Sequence, residues 1–235
     1  PKLTISGLEF TPGLDPQTGG VGTVNHSYTY WNPSEPGWGF NAQHQGNLLF
    51  GTWYSYAPED GKPMFLTVEA HEVLPGIFAG PVFRIAGTPF QLIDNAQAFT
   101  AVSQVGTAQL SFDGNGALSL DYILFGVTQR KQLERFVFAA SAPTCSGTTG
   151  SRAAASNFSD LWWNSAEPGW GLTLAHQGDA IFVLWYTYGE AGRDQWLSGL
   201  LSRQADGSFA GTLERPSSGT PLPQINGPAT SFPVP

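Results

Sequence analysis

From Gly37 to Gln45 the chain alternates, with Trp38, Phe40, Ala42 and His44 on one side and Gly39, Asn41, Gln43 and Gln45 on the other. That is the period of a half-buried strand. Gly46-Asn47 then turns the chain into Leu48–Tyr56, which is apolar on both sides and reads as a central strand. After a turn at Glu59-Asp60-Gly61-Lys62-Pro63, strands are predicted over Met64–Val73, Ile77–Ile85, Gly106–Phe112, Ala117–Phe125 and Thr128–Phe138, with a loop over 86–103. Asp113-Gly114-Asn115-Gly116 is a hairpin turn, because Asn, Asp and Gly tolerate positive φ. Ahead of all this, Leu3–Phe10 forms one strand-like run, followed by a Pro/Gly/Gln loop. No stretch sustains apolar residues at i, i+3, i+4 and i+7, so almost no helix is expected. Seven or eight strands with short connections form an antiparallel meander, and such a sheet hides its edges best by closing into a barrel. The expectation is an all-β chain.

The alternation occurs twice. Tyr30–Tyr56 and Trp162–Tyr188 share 14 of 27 residues at a constant offset of 132 without a gap. The common frame is Trp-Asn-x-x-Glu-Pro-Gly-Trp-Gly, then His-Gln-Gly, then Trp-Tyr-x-Tyr. Further on, Phe78-Ala79-Gly80 returns as Phe209-Ala210-Gly211, and Gly87-Thr88-Pro89 as Gly219-Thr220-Pro221. A period of this length means two copies of one structural unit. The chain divides into an N-terminal extension (1–27), a first barrel repeat (28–140), a Ser/Ala/Thr/Gly linker (141–158) and a second repeat (159–235). The second copy stops where the first begins its last three strands, leaving an apolar edge to be satisfied. Three arrangements satisfy it: residues 1–27 fold back onto it, another chain completes the sheet, or the polypeptide continues beyond 235. The last is the simplest.

The pattern Trp-Trp-Asn-x-x-Glu-x-Gly-Trp-Gly, a Gln-Gly turn and Trp-(Phe/Tyr)-Thr-Tyr resembles a Trp-rich tandem repeat of secreted bacterial proteins, mostly of unknown function. Gly106-Thr107-Ala108-Gln109-Leu110-Ser111-Phe112, Tyr122 and Lys131…Arg135 are similar to that family's ending. The resemblance covers about 30–138 and 159–235 and implies a secreted bacterial source and tandem β units, with no activity to transfer. At fold level, Gly51-Thr52-Trp53-Tyr54 is similar to an avidin-type strand. An Arg from the closing strand, Arg135, over the Trp38 of the first strand would resemble the sealed end of calycin barrels.

Composition narrows the partners. Charged residues make up 12%, and ten Lys and Arg against a net charge of −8 argue against nucleic acid or an anionic membrane. There is no apolar run of transmembrane length. A start at Pro1 fits a removed leader or an excised fragment. Cys145, the one cysteine, is either an exposed linker thiol or half of a disulfide whose partner lies elsewhere.

Few residues suggest chemistry. Glu35 and Glu167 would have to flank one bond to act as a glycosidase pair, whereas equivalent positions in tandem units lie far apart. Both are expected to accept backbone N–H groups or to pair with Lys131 or Arg135. Trp38, Trp53, Trp170 and Trp185 are expected as structural residues, and His44 and His176 as hydrogen-bonded groups before the Gln-Gly turns. His26 and His71 lack metal spacing, and no nucleophile elbow or phosphate loop is present. Asn25-His26-Ser27 and Asn157-Phe158-Ser159 match the glycosylation pattern by chance. No catalytic residue, metal or cofactor is expected. The remaining aromatic surface (Trp31, Trp162, Trp163, Tyr54, Tyr56, Tyr186 and Tyr188, with Asn32 and Asn164) suits a sugar, a small apolar ligand or an interface between units, with the interface ranked first for Trp31 and Trp163. The expected function is that of a non-enzymatic module that is secreted, surface-located or periplasmic. It acts by assembly with copies of itself or with a missing C-terminal segment, ahead of glycan or small-ligand binding and, last, glycoside hydrolysis.

Overall fold

The structure, a computed structural model, describes residues 6–7, 25–139 and 157–229. It is all-β, and among these residues there is no α-helix, only short 3₁₀ turns such as Phe90–Leu92 and Leu222–Gln224. Cys145 and the 141–156 part of the expected linker lie outside the described residues. Eight antiparallel strands close a barrel: β2 (Tyr28–Trp31), β3 (Gly39–Gln45), β4 (Leu48–Tyr56), β5 (Pro63–Leu74), β6 (Ile77–Gly87), β7 (Phe99–Phe112), β8 (Leu118–Leu124) and β9 (Val127–Arg135). Its inward side chains interdigitate as the alternation requires: Tyr30, Phe40, Leu49, Trp53, Leu66, Phe78, Leu110 and Leu118 are all buried.

Two elements differ from the pattern reading. The strand Tyr28–Trp31 is only four residues long, too short to show a period. Strand β7 begins at Phe99, inside the expected loop, because β6 runs on to Gly87 and pairs with it through register shifts after Val82 and Ala86. A shift lets the ladder continue without strict alternation. Closure is narrow: Tyr30 faces Arg135 and Trp31 faces Glu134, and the Phe136 N–H adds a bond to the Thr29 carbonyl at 2.8 Å.

The second unit is an open sheet of six strands. Five of them, β10 (Asp160–Trp163), β11 (Gly171–Gln177), β12 (Ala180–Tyr188), β13 (Asp194–Arg203) and β14 (Phe209–Ala210), repeat β2 to β6. The sixth is β1 (Ser6–Gly7), antiparallel to β10, with Ser6 opposite Trp163 and Gly7 opposite Trp162. This is the register in which β9 closes the first barrel, since Glu134 and Arg135 face the equivalent Trp31 and Tyr30. A strand from the N-terminal extension thus holds the position of a closing strand. It does so at the β10 edge, on the far side of the sheet from β14.

The two units pack through the outer faces of β4, β5 and β6 against β12 and β13. Trp196 is the anchor: it lies edge-on to Tyr54 and Tyr56 (ring centroids 5.2 and 5.8 Å), and its indole N–H donates to the Ser55 carbonyl at 2.9 Å. This explains why β4 is apolar on both sides: one side meets the barrel core and the other meets the second unit. Charges ring the contact. Buried Asp194 accepts the Phe65 N–H at 3.2 Å and the Arg84 guanidinium at 3.1 Å, while Arg84 also reaches Glu59 at 2.8 Å. Burial outweighs these partners and holds the Asp194 carboxyl above its ordinary range. At the exposed rim, hydrogen bonds from Arg193 hold Asp60 at about 2.

Trp196→Ala should lower stability by about 3–5 kcal/mol through cavity formation. It should also uncouple the units, so that calorimetry shows two thermal transitions where the parent shows one.

Candidate functional site

The repeated motif builds a corner and a turn, each fixed by its own hydrogen bonds. In the corner, the Asn32 carboxamide oxygen accepts the Ser34 N–H (3.0 Å), and the Asn32 carbonyl accepts the Glu35 N–H (3.0 Å). Asn164 does the same with Ala166 (3.1 Å) and Glu167 (3.0 Å). The oxygen that would orient a ligand is therefore used locally in both copies, as an Asx turn. Gly37 and Gly169 follow at φ 108° and 120°, where a side chain would be strained.

In the turn, His44 accepts the His26 N–H at Nδ1 (3.3 Å), and its Nε2 lies 2.7 Å from the Gly46 carbonyl. His176 repeats this with the Phe158 N–H (3.2 Å) and the Gly178 carbonyl (2.8 Å). Each imidazole ties the incoming loop to the Gln-Gly turn as a neutral ring with its proton on Nε2. His26 stacks on Phe112 at 4.1 Å and on His44 at 5.3 Å. Desolvation, then the neighbouring His44 and Arg135, hold its pKa down to about 4.

The two Asn-x-Ser sequences belong to this turn. Asn25 accepts the Ser27 N–H (2.7 Å) and Ser27 Oγ accepts the His44 N–H (2.9 Å). Asn157 and Ser159 repeat both bonds, at 2.8 Å each. They are structural turns, not chance matches, and their recurrence 132 residues apart is a signal that the sequence carries.

Each carboxylate has a partner, although Glu35 Oε2 is buried without one of its own. Glu35, beside Pro36 and Trp38, receives the Lys131 ammonium of β9 at 2.8 Å, and both groups are buried. Lys131 also donates to the Ile225 carbonyl of the second unit at 2.6 Å. Glu167 accepts the Trp170 indole N–H at 3.1 Å and the Asn95 N–H at 3.3 Å. The cation at the Trp38 corner is thus Lys131. The expected Arg135–Trp38 stack does not form: Arg135 is paired with Tyr30 and lies over the Tyr28 ring at 5.0 Å. Antiparallel pairing of β9 with β2 carries Lys131, four residues earlier, towards the corner instead.

The aromatics separate into three places. Tyr54, Tyr56, Tyr186 and Tyr188 are buried, and desolvation pushes the phenols of Tyr54, Tyr186 and Tyr188 up. The Asn41 carboxamide donates to the Tyr186 hydroxyl across the units, and Tyr188 donates to the Gly169 carbonyl at 2.5 Å. Trp38 and Trp53 pack inside the barrel (5.9 Å), while Trp170 and Trp185 pack together in the second unit (6.3 Å) with Phe90 of the first unit edge-on to both. Trp162 donates its indole N–H to the Phe158 carbonyl at 3.0 Å. Trp31 lies against Phe136 at 5.2 Å.

Trp163 lines a cleft of about 360 Å³ between the units, with Gln43, Gln45, Phe50, Phe65, Trp170 and Tyr186 among its walls. The volume falls in the range of ligand pockets, and apolar walls carrying a few amides and hydroxyls are the lining such pockets have. Among the described residues no group of three His, Cys, Asp or Glu could hold a metal ion. No described helix is long and apolar enough to cross a membrane.

Two outcomes are expected. Glu35→Gln and Lys131→Met should each cost about 3–5 kcal/mol by stranding a buried partner, whereas the double variant should recover much of that loss in denaturant unfolding. Stability should also fall as pH drops from about 6.5 towards 4, because His26 takes up a proton in the unfolded chain before it can do so when folded. The thermal midpoint of His26→Phe should be less sensitive to pH across that window.

Compared with known proteins, the chain matches no family model, no curated protein and no solved structure.

Proposed function

We propose that this protein is a non-enzymatic assembly module, secreted or surface-located, that acts through completion of its open second sheet. The observation that carries the reading is the strand count. The first unit needs eight strands to close; among the described residues the second has five of its own, and β1 stands in the closing position. Among the described residues no strand takes the two adjacent positions between β14 and β1, the places that β7 and β8 fill in the first barrel. A β-hairpin from a partner is the occupant that fits them.

Two features support this. Side chains that face the core in the first barrel have counterparts in the second, such as Leu172, Leu174, Trp185, Leu197 and Phe209, that are only half-buried. Unpaired strand edges beside an apolar face recruit further strands, with backbone bonds supplying affinity and side-chain pockets specificity. The placement outside the cytosol rests on the low charge and the scarcity of Lys and Arg. A non-enzymatic role accords with carboxylates and imidazoles whose hydrogen bonds serve the fold.

Sedimentation of the full chain should show association that strengthens with micromolar concentration. Ala210→Lys, which puts a charge on the exposed β14 edge, should shift it towards monomer. A species that stays monomeric at all concentrations, with the second unit protected from hydrogen exchange as well as the first, would overturn the proposal.

A further inference from the structure

The cleft beside Trp163 has a twin at the repeat-equivalent position, and the twin is filled. Trp31, Gln177 and Phe182 are the repeat equivalents of Trp163, Gln45 and Phe50 at the common offset. Around the first three runs the extended segment Phe136–Ala139, which continues from β9. The Phe136 ring is wedged between Trp31 (5.2 Å) and Phe182 (5.1 Å), edge-on to both, with Phe138 beside it. The buried Gln177 carboxamide serves that segment as a neighbouring strand would: its Nε2 donates to the Phe136 carbonyl at 2.8 Å, and its Oε1 accepts the N–H groups of Phe138 (3.0 Å) and Ala139 (3.2 Å).

The same three residue types wall the cleft beside Trp163, which no described segment fills in this way. The Gln45 side chain is half-buried and has no protein partner among the described residues, and Gln43 enters the same space two residues earlier on the same strand face. Leaving a half-buried carboxamide without a partner is unfavourable. The filled twin shows which ligand chemistry satisfies it: a backbone N–H and C=O in extended conformation, with a ring inserted between the indole and the phenyl.

We propose that the cleft is a peptide-binding site. It takes an extended segment of a partner polypeptide bearing Phe-x-Phe, with the first Phe between Trp163 and Phe50 and the backbone held by Gln45. A sugar would use the Trp163 face but would have no use for a slot that receives a ring edge-on.

The test is calorimetric titration of the full chain with the capped peptide Arg-Phe-Val-Phe-Ala, the sequence that fills the twin. Saturable 1:1 binding is expected, with no binding of Arg-Ala-Val-Ala-Ala. Gln45→Ala should weaken affinity about tenfold and Trp163→Ala more, with near-ultraviolet circular dichroism confirming that both remain folded. Trp163→Phe, a milder change in case the alanine variant unfolds, should retain partial binding. A chain that ignores the peptide, because its own residues fill the cleft or because it is no site, overturns the proposal. So does binding that Gln45→Ala leaves unchanged, or saturation by an oligosaccharide while the peptide is inert.

Discussion

The structure depends on a reciprocal contact in which each unit lays its Gly-Thr-Pro segment over the other's Glu-Pro-Gly-Trp corner. The Ala98 N–H donates to the Pro168 carbonyl and the Ala229 N–H to the Pro36 carbonyl, both at 2.8 Å. Behind each bond the segment folds on itself in the same way, Thr88 bonding Ala98 and Thr220 bonding Ala229, both at 2.7 Å. Gly87 lies flat under the Tyr188 ring and Gly219 under Tyr56, so close that a Cβ at either would sit within about 2.5 Å of ring carbons. The contact is a two-fold interface, as between subunits of a symmetric dimer, made within one chain.

This arrangement accounts for the repeated motif. Pro-Gly-Trp-Gly presents a carbonyl at a rigid corner, the Tyr two residues beyond Trp-Tyr covers the neighbour's glycine, and the carboxylate steadies what arrives. In the second corner Glu167 accepts Asn95 directly; in the first, Glu35 acts through Lys131, which holds the Ile225 carbonyl. The motif that looks most like an active site is a docking corner: its carboxylates help to join the units, and its imidazoles brace the turns within each unit.

The two copies diverge where the fold is unequal. Closure of the first barrel delivers Phe136 into the space between Trp31 and Phe182, while no described residue is placed in this way in the matching space beside Trp163. The second sheet, with β1 in the closing register, has the edge and the half-buried face that the first has lost. Such function as the geometry supports therefore gathers on the asymmetric side of a molecule whose centre is nearly symmetric.

Much of this was legible in the residues. Alternation over Gly37–Gln45 and the Asp-Gly and Gln-Gly turns give strands and hairpins, because a period of two and positive φ are local properties. The offset of 132 gives two units, and an all-β chain follows. The use of each outward face was not legible. Tyr54 and Tyr56 carry the same pattern whether they meet a sugar, solvent or Trp196, since apolar burial has no direction written in sequence. The partner of Glu35, Lys131 rather than Arg135, depended on barrel register, and the cleft depended on which copy received Phe136. Sequence determined the strands and their duplication; only the tertiary structure decided which faces they hide from water, because that is settled by contacts between residues far apart in the chain.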